Sequence, residues 1–272
     1  MTKDDMSDEK LRKLLKPKPS NEEIIHHVQQ NFSSTCSSNS QAVSIVKELD
    51  SYDDRNYWMK IDGKDFLVKV HNGVESKDAC QAMDDNKQDS VIHYQYAVMN
   101  TLGNSDISVS RPVFPDSKNN KMLAVNLPVV SKEHSPCKLV ISVYKWVDGI
   151  TMSSLRILPI ECLADAGRFL GKMHHNLKIL TSDDHPAARR YHQWDGKNTR
   201  DLKGFLHCIE NPERRTMIQS ILDAFDKDII QSGVADKLRK GINHGDYNDA
   251  NILMDKNFTV TGVIDFGDSV ER

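Results

Sequence analysis

Apolar positions along the first half of the chain follow the spacing of strands. Residues 42–49, 56–61 and 66–70 each read as a strand. Asp62-Gly63 is a strong two-residue turn signal, so the second and third strands form a hairpin. In residues 66–70, alternation puts Phe66, Val68 and Val70 on one face and Leu67 and Lys69 on the other. Residues 112–114 and 121–127 read as two strands paired around Asn119-Asn120. Residues 138–147 are one more strand, ending at Asp148-Gly149. Helical spacing interrupts this pattern. Ser20 and Glu23 form a capping-box signature ahead of Ile24, Ile25 and Val28. Residues 91–102 carry a helical period that stops at Gly103. Residues 33–40 read as a polar loop. Residues 72–90 are polar and acidic and carry no assignable period, with Asp84, Asp85 and Asp89 in a solvated run. Residues 1–18 offer a short amphipathic helix through Leu11, Leu14 and Leu15, but read as a loosely held extension.

After Gly149 the strand signals thin out. Residues 160–180 place Leu163, Ala166, Gly167, Leu170, Met173, His174 and Leu177 on one helical face. Residues 212–230 suit a second long helix with Pro212 at its start. The pattern predicts an α+β chain in three parts. These are an extension and helix over 1–41, a strand-rich lobe over 42–147 and a helical lobe over 148–272.

Composition narrows the function classes. With 38% hydrophobic and 28% charged residues the chain is globular rather than disordered. A net charge of −3 gives no basic footprint for nucleic acid. Apolar runs fall far short of the ~18 residues of a membrane span. No apolar segment follows Met1, so a secretory signal is not expected. Five cysteines, none in a Cys-x-x-Cys spacing, argue against a disulfide framework or a cysteine zinc site. The expectation is a cytoplasmic protein.

The chemistry lies near the C-terminal end. Asp246 and Asn251 are five residues apart in His244-Gly245-Asp246-Tyr247-Asn248-Asp249-Ala250-Asn251. Fourteen residues later, after a strand, a turn and a second strand, comes Asp265-Phe266-Gly267-Asp268. Phosphoryl transfer from a nucleotide needs a carboxylate at the acceptor hydroxyl and hard oxygen ligands for the magnesium that bridges the phosphates. Asp246 suits the first task; Asn251 and Asp265 suit the second. His244 and Asp268 read as braces of these loops. Each motif alone is ordinary turn chemistry, and only their order and spacing carry weight. His174-His175 reads as a structural pair on a helix. Met152, Met173 and the tryptophans at 58, 146 and 194 read as core or lobe-interface residues.

His-Gly-Asp, Asn five residues after the Asp, then Ile-Asp-Phe-x-Asp resembles the aminoglycoside phosphotransferase and choline kinase superfamily. The resemblance runs from about residue 42 to 272. It implies a protein-kinase-like two-lobed fold, with an antiparallel-sheet N-lobe that binds nucleotide and a mainly helical C-lobe. The 51–56 segment, Ser51-Tyr52-Asp53-Asp54-Arg55-Asn56, together with 243–253 and 262–268, points to members that phosphorylate 5-hydroxylysine, with GTP as the favoured donor and ATP as the other. Choline, ethanolamine, homoserine and aminoglycosides are the alternative acceptors. Magnesium is the implied cofactor.

In that frame Lys69 is the phosphate-binding lysine, and Ser51, Arg55 and Asn56 line the phosphate loop in place of a Gly-rich one. Tyr144 and Trp146 lie at the hinge that holds the base. The lysine's usual glutamate is missing from residues 91–102. His93 and Gln95 stand in its place; either Asp89 substitutes, or the lysine is held less firmly, or the partner helix lies elsewhere than 91–102. Asp148, Asp195 and Asp249 are candidates for a substrate ammonium. Only seven residues follow Asp265, where the family continues in further helices. The chain therefore reads as C-terminally shortened, with under-covered helices at 160–180 and 212–230 and at most weak nucleotide binding and poor transfer. A catalytically weak binding protein is the second reading.

Overall fold

The computed structural model describes residues 3–32, 42–116, 122–192 and 194–272. The loop expected at 33–40 and the Asn119-Asn120 turn lie outside them. The first half contains helices α1 (Lys3–Leu14), α2 (Asn21–Asn31), α3 (Gly73–Asp84) and α4 (Val91–Gly103). Its strands are β1 (Val43–Leu49), β2 (Arg55–Ile61), β3 (Lys64–Val70), β4 (Pro112–Val113), β5 (Leu123–Leu127) and β6 (Cys137–Lys145). They form one antiparallel sheet in the order β1-β2-β3-β6-β4, with β5 also on β6. Asp62 and Gly63 both adopt positive φ, 47° and 75°, as a type I′ hairpin turn demands.

Alternation along the strands decides which face meets which core. Phe66, Val68 and Val70 of β3, with Tyr57, Met59 and Ile61 of β2, pack under α2 through Ile24, Val28 and Phe32. The capping box that starts α2 is formed, with Ser20 and Glu23 bonding reciprocally. Leu67, Val140 and Tyr144 line the other face, against Tyr94, Tyr96, Val98 and Leu102 of α4. That core continues into the second half through Met173, Leu177, Val263 and Phe266.

Three expectations are corrected. β4 and β5 pair with β6 and not with each other: Val113 faces Val143, and Leu123 faces Ile141. β4 is two residues long and begins with Pro112, which has no N–H to donate. The nine-residue β6 is the template that both strands use. Residues 73–84 form α3, capped by Asn72, whose Oδ1 accepts from Val74 N at 3.0 Å. Its buried side is Gly73, Ser76, Ala79, Cys80 and Ala82. Such small residues give no hydrophobic period, which hid the helix. Residues 12–18 are held rather than loose. Leu15 is buried, Lys18 N donates to Pro128 O at 2.8 Å and Gly73 N to Leu15 O at 3.2 Å.

The second half holds β7 (Ile150–Thr151), α5 (Ile160–Leu177), α6 (Pro212–Phe225), α7 (Val234–Lys237) and four more short strands. These are β8 (Ile242–Asn243), β9 (Ile252–Met254), β10 (Val260–Val263) and β11 (Val270–Glu271). Asn211 caps α6 ahead of Pro212, and a π-helical segment, Asp226–Gln231, continues it. α5 buries Cys162, Ala166, Met173 and Leu177. Leu163, expected on the buried face, is exposed, as are Ile160, Met217 and Ile221. Among the described residues no helix is long and apolar enough to cross a membrane.

Candidate active site

Two short antiparallel ladders assemble the candidate catalytic segment. β8 pairs with β11, Asn243 opposite Val270, so the chains leaving one strand and entering the other lie side by side. β9 pairs with β10, Val263 opposite Ile252. One step beyond, Ile264 N donates to Asn251 O at 3.0 Å. Antiparallel register thus brings Asn251, just before β9, beside Asp265, just after β10. The fourteen-residue spacing in sequence becomes adjacency in space.

His244 locks the two ladders together. Its Nε2 donates to Ile264 O at 2.9 Å, and Nδ1 accepts from Asp246 N at 3.3 Å. The ring is buried against Phe266, 4.7 Å between centroids. Burial lowers its pKa, so the neutral tautomer with the proton on Nε2 is the bracing form. Gly245 has φ +89°, and a Cβ there would lie 2.0 Å from Asp268 O, so no side chain fits.

The Asp246 carboxylate accepts two amide bonds: Asn248 Nδ2 to Oδ1 at 2.7 Å and Asn251 Nδ2 to Oδ2 at 2.9 Å. Asn248 Oδ1 in turn accepts from Ala250 N and Asn251 N. With its nitrogen committed to Asp246, Asn251 keeps its amide oxygen free as a hard donor. Asp265 adopts φ +62°, a left-handed conformation unusual for a residue with a side chain, and stands at the surface. Its Oδ1 accepts from Gly267 N at 3.2 Å. One exposed carboxylate beside one amide oxygen is a hard oxygen set that suits magnesium shared with phosphates. Among the described residues no group of three or more His, Cys, Asp or Glu forms a closed metal cage.

Asp268 is engaged outside this pair. Its Oδ1 meets His192 Nε2 at 3.0 Å, and that bond holds its carboxyl below the usual carboxylate range. Arg190 ties down the same loop, donating to Gly267 O at 2.9 Å and Ser269 O at 2.6 Å.

On the sheet, Lys69 Nζ pairs with Asp54 Oδ2 at 2.8 Å; the two side chains are only 18% and 15% exposed. Burial opposes the ammonium charge, but the carboxylates of Asp54 and Asp265 outweigh it and hold the Lys69 pKa above the ordinary lysine value. Burial likewise works against the Asp54 carboxylate, and the Lys69 ammonium overcomes it, leaving its pKa lowered. The acid that Lys69 meets therefore comes from the 51–54 loop and not from residues 91–102. Asp89, the candidate substitute, is exposed. The helix that directly follows β3 is α3, and it does carry an acid: Glu75, paired with Arg12 Nη2 at 2.5 Å.

Asn56 lies opposite Lys69 in the β2–β3 register, on the same face. Arg55 belongs to the other face: it pairs with Glu48 at 2.6 Å and lies over the Tyr57 ring. It lines one pocket with Lys16, Ser51 and Asp54. Ser51 offers its carbonyl to Lys16 Nζ at 3.2 Å. Tyr144 is buried beside Lys69, with its phenol pushed up to about 12 by burial. Trp146 stacks on Trp58, 5.1 Å between centroids, and Trp58 Nε1 donates to Asp65 Oδ1 at 2.6 Å. Asp195 caps Lys197 N at its own helix start, whereas Asp148 and Asp249 are exposed.

Residues 45–270 match the phosphotransferase enzyme family, APH. The chain belongs to that family. It is 25% identical over 244 residues to a hydroxylysine kinase of Xenopus laevis, covering 82% of this chain and 60% of the relative. The chain spans about 60% of the length of the curated relatives it matches. In structure it is similar to a microcompartment-associated aminopropanol kinase, with a TM-score of 0.57 and 17% identity over 90% of this chain and 70% of that one. The GDP complex of aminoglycoside 2′-phosphotransferase-IIIa gives a TM-score of 0.52 at 13% identity, covering 91% and 73%. These neighbours establish the kinase-like α+β fold.

Asp54, Asn248, Arg190 and His192 were not singled out from sequence. Asn248 had a readable signal, an amide two residues after Asp246 in a turn-forming run. The others meet their partners only through the fold.

Proposed function

We infer that this phosphotransferase chain forms the core of a cytoplasmic kinase that moves the terminal phosphoryl group of GTP or ATP to the hydroxyl of 5-hydroxy-L-lysine. What carries the reading is the convergence of Asp246, Asn251 and Asp265 on one pair of ladders. The similarity to hydroxylysine kinases supports the acceptor. In the proposed reaction Asp246 accepts the proton of the substrate hydroxyl while the new oxygen–phosphorus bond forms and the bond to the nucleoside diphosphate breaks. The amides of Asn248 and Asn251 orient the Asp246 carboxylate without neutralising it. Lys69 holds the α- and β-phosphates. Asn251 and Asp265 would hold magnesium, which neutralises phosphate charge when bound.

The test is a panel of hydroxylated amines assayed with both nucleotides and magnesium, the product identified by phosphorus NMR. Hydroxylysine should give the largest turnover relative to KM. Consumption of nucleotide stimulated by another amino alcohol, and not by hydroxylysine, would replace the acceptor. A second reading, a nucleotide binder with weak transfer, is favoured by the exposed Ile160, Leu163, Met217 and Ile221 of the helical half. Nucleotide binding without turnover on any acceptor would establish it.

A further inference from the structure

Residues 12–16 precede the family-matched residues, yet they close on the loop that carries Asp54. Arg12 is the centre of this contact. Its Nη1 pairs with Asp53 Oδ2 at 2.8 Å and its Nη2 with Glu75 Oε1 at 2.5 Å. Its carbonyl accepts from Asn72 Nδ2 at 2.9 Å. Lys16 Nζ donates to Tyr52 O at 2.8 Å and Ser51 O at 3.2 Å. Asn72 then completes the path: its Nδ2 also donates to Asp53 O at 3.0 Å and its backbone N–H to Asp54 Oδ1 at 2.7 Å. Asp54 keeps Oδ2 for Lys69.

Charge matching explains why the segment is needed. Asp53, Asp54 and Glu75 crowd one corner. Burial pushes the Glu75 carboxyl up against the pull of the Arg12 guanidinium, and the charge of Asp54 adds to the push. Arg12 takes Asp53 and Glu75, which leaves Asp54 to the lysine. Lys69 donates three protons; with one on Asp54, the others remain for phosphate oxygens.

We propose that residues 12–16 are a working part of the nucleotide site. Arg12 and Lys16 fix the 51–54 loop so that Asp54 holds the Lys69 ammonium where a nucleoside triphosphate places its phosphates. Arg12 and Asp54 are positioning residues. What Lys69 contacts rests on the kinase reading above.

The experiment titrates the 272-residue chain with magnesium–GTP, magnesium–ATP, guanosine and adenosine. Asp54→Asn, Arg12→Gln and Arg12→Lys are compared with wild type, and thermal unfolding reports whether each is folded. A positioning role weakens the triphosphates at least tenfold in Asp54→Asn and Arg12→Gln, leaves the nucleosides within twofold, and is largely restored in Arg12→Lys. Unchanged triphosphate affinity in Arg12→Gln overturns the proposal and spares the kinase reading. So does an equal loss of triphosphate and nucleoside, or an Arg12→Gln chain that no longer folds, because either makes the segment mere scaffold. A wild-type chain that binds neither triphosphate overturns the kinase reading and this proposal with it.

Discussion

Asp246 and Lys69 are both fixed charges, but different chemistry fixes them. Around Asp246 the donors are neutral amides, from Asn248 and Asn251, two and five residues away in the chain. Around Lys69 the partner is an opposite charge from another loop, held by Asn72, which itself meets Arg12 from sixty residues away. The contrast follows the two tasks proposed for these residues. A proton acceptor must keep its negative charge and its affinity for a proton, which amides permit and a cation would suppress. A phosphate-binding lysine must keep its positive charge in a buried place, and only a nearby anion secures that.

Variants at the catalytic loop should therefore change turnover, and changes at the lysine corner should change nucleotide affinity or stability. The largest effect belongs to Asp246→Asn, which should lower turnover by roughly 10²–10⁴, the usual worth of general-base assistance. Nucleotide affinity should stay as it was; steady-state rates beside a binding titration separate the two. Next is Asp265→Ala. It removes a carboxylate from the magnesium site and should weaken magnesium-dependent nucleotide binding on the order of 10²-fold, partly restored by added magnesium. Metal titrations that overlay those of wild type would withdraw Asp265 from that role.

The third prediction concerns acid stability at the lysine corner. His71 sits under Lys69 and is buried, with Nε2 2.6 Å from Ser142 Oγ, which also accepts from Tyr96 at 2.6 Å. Burial pushes its pKa down to about 3, the Lys69 ammonium assisting and the Asp54 carboxylate opposing. Between the ordinary histidine value near 6.5 and that value, the unfolded chain binds a proton that the folded chain refuses. Stability is therefore lost as pH falls below ~6.5, by up to about 1.4 kcal/mol per unit from this one residue. Urea unfolding at pH 7 and 5, with the imidazole followed by NMR, checks it; an imidazole that titrates near 6 in the folded chain refutes it. The smallest effect is Asn248→Ala, which removes one of two donors to Asp246. A bond to a charged group is worth about 1.5 kcal/mol or more, so turnover should fall about tenfold. Rates within twofold of wild type would leave orientation of Asp246 to Asn251 alone.

The candidate catalytic loop is legible because its residues are local. His244, Asp246, Asn251 and Asp265 stand in one stretch, and the intervening hairpin has a strand pattern that folds the spacing into register. The sheet was legible for the same reason at β2 and β3, whose Asp62-Gly63 turn fixes both partners. What failed was pairing at a distance. β4 and β5 carry good strand residues, but their alternation says nothing about which edge accepts them, and β6 took both. Arg55, expected with the phosphate loop, takes the face of β2 opposite Lys69 and binds Glu48, yet it lines one pocket with Ser51 and Asp54. α3 went unseen because its contact with the sheet is made by Ser76, Ala79 and Ala82 rather than by large apolar residues. Without the α3 period in the sequence, nothing there brings Glu75 forward as a partner of Lys69.

The sequence by itself determined the strand faces, the two hairpins and the choice of Asp246, Asn251 and Asp265 as candidates for phosphoryl transfer. Side-chain period and turn residues are properties of a few neighbouring positions, and they read the same before and after folding. Only the tertiary structure decided which acid holds Lys69. Asp54, Asp89 and Glu75 are chemically similar carboxylates, and the difference among them is distance and burial. Asp89 stays in water, Glu75 is taken by Arg12, and of the three Asp54 meets the ammonium, at 2.8 Å in a place where solvent screens it little.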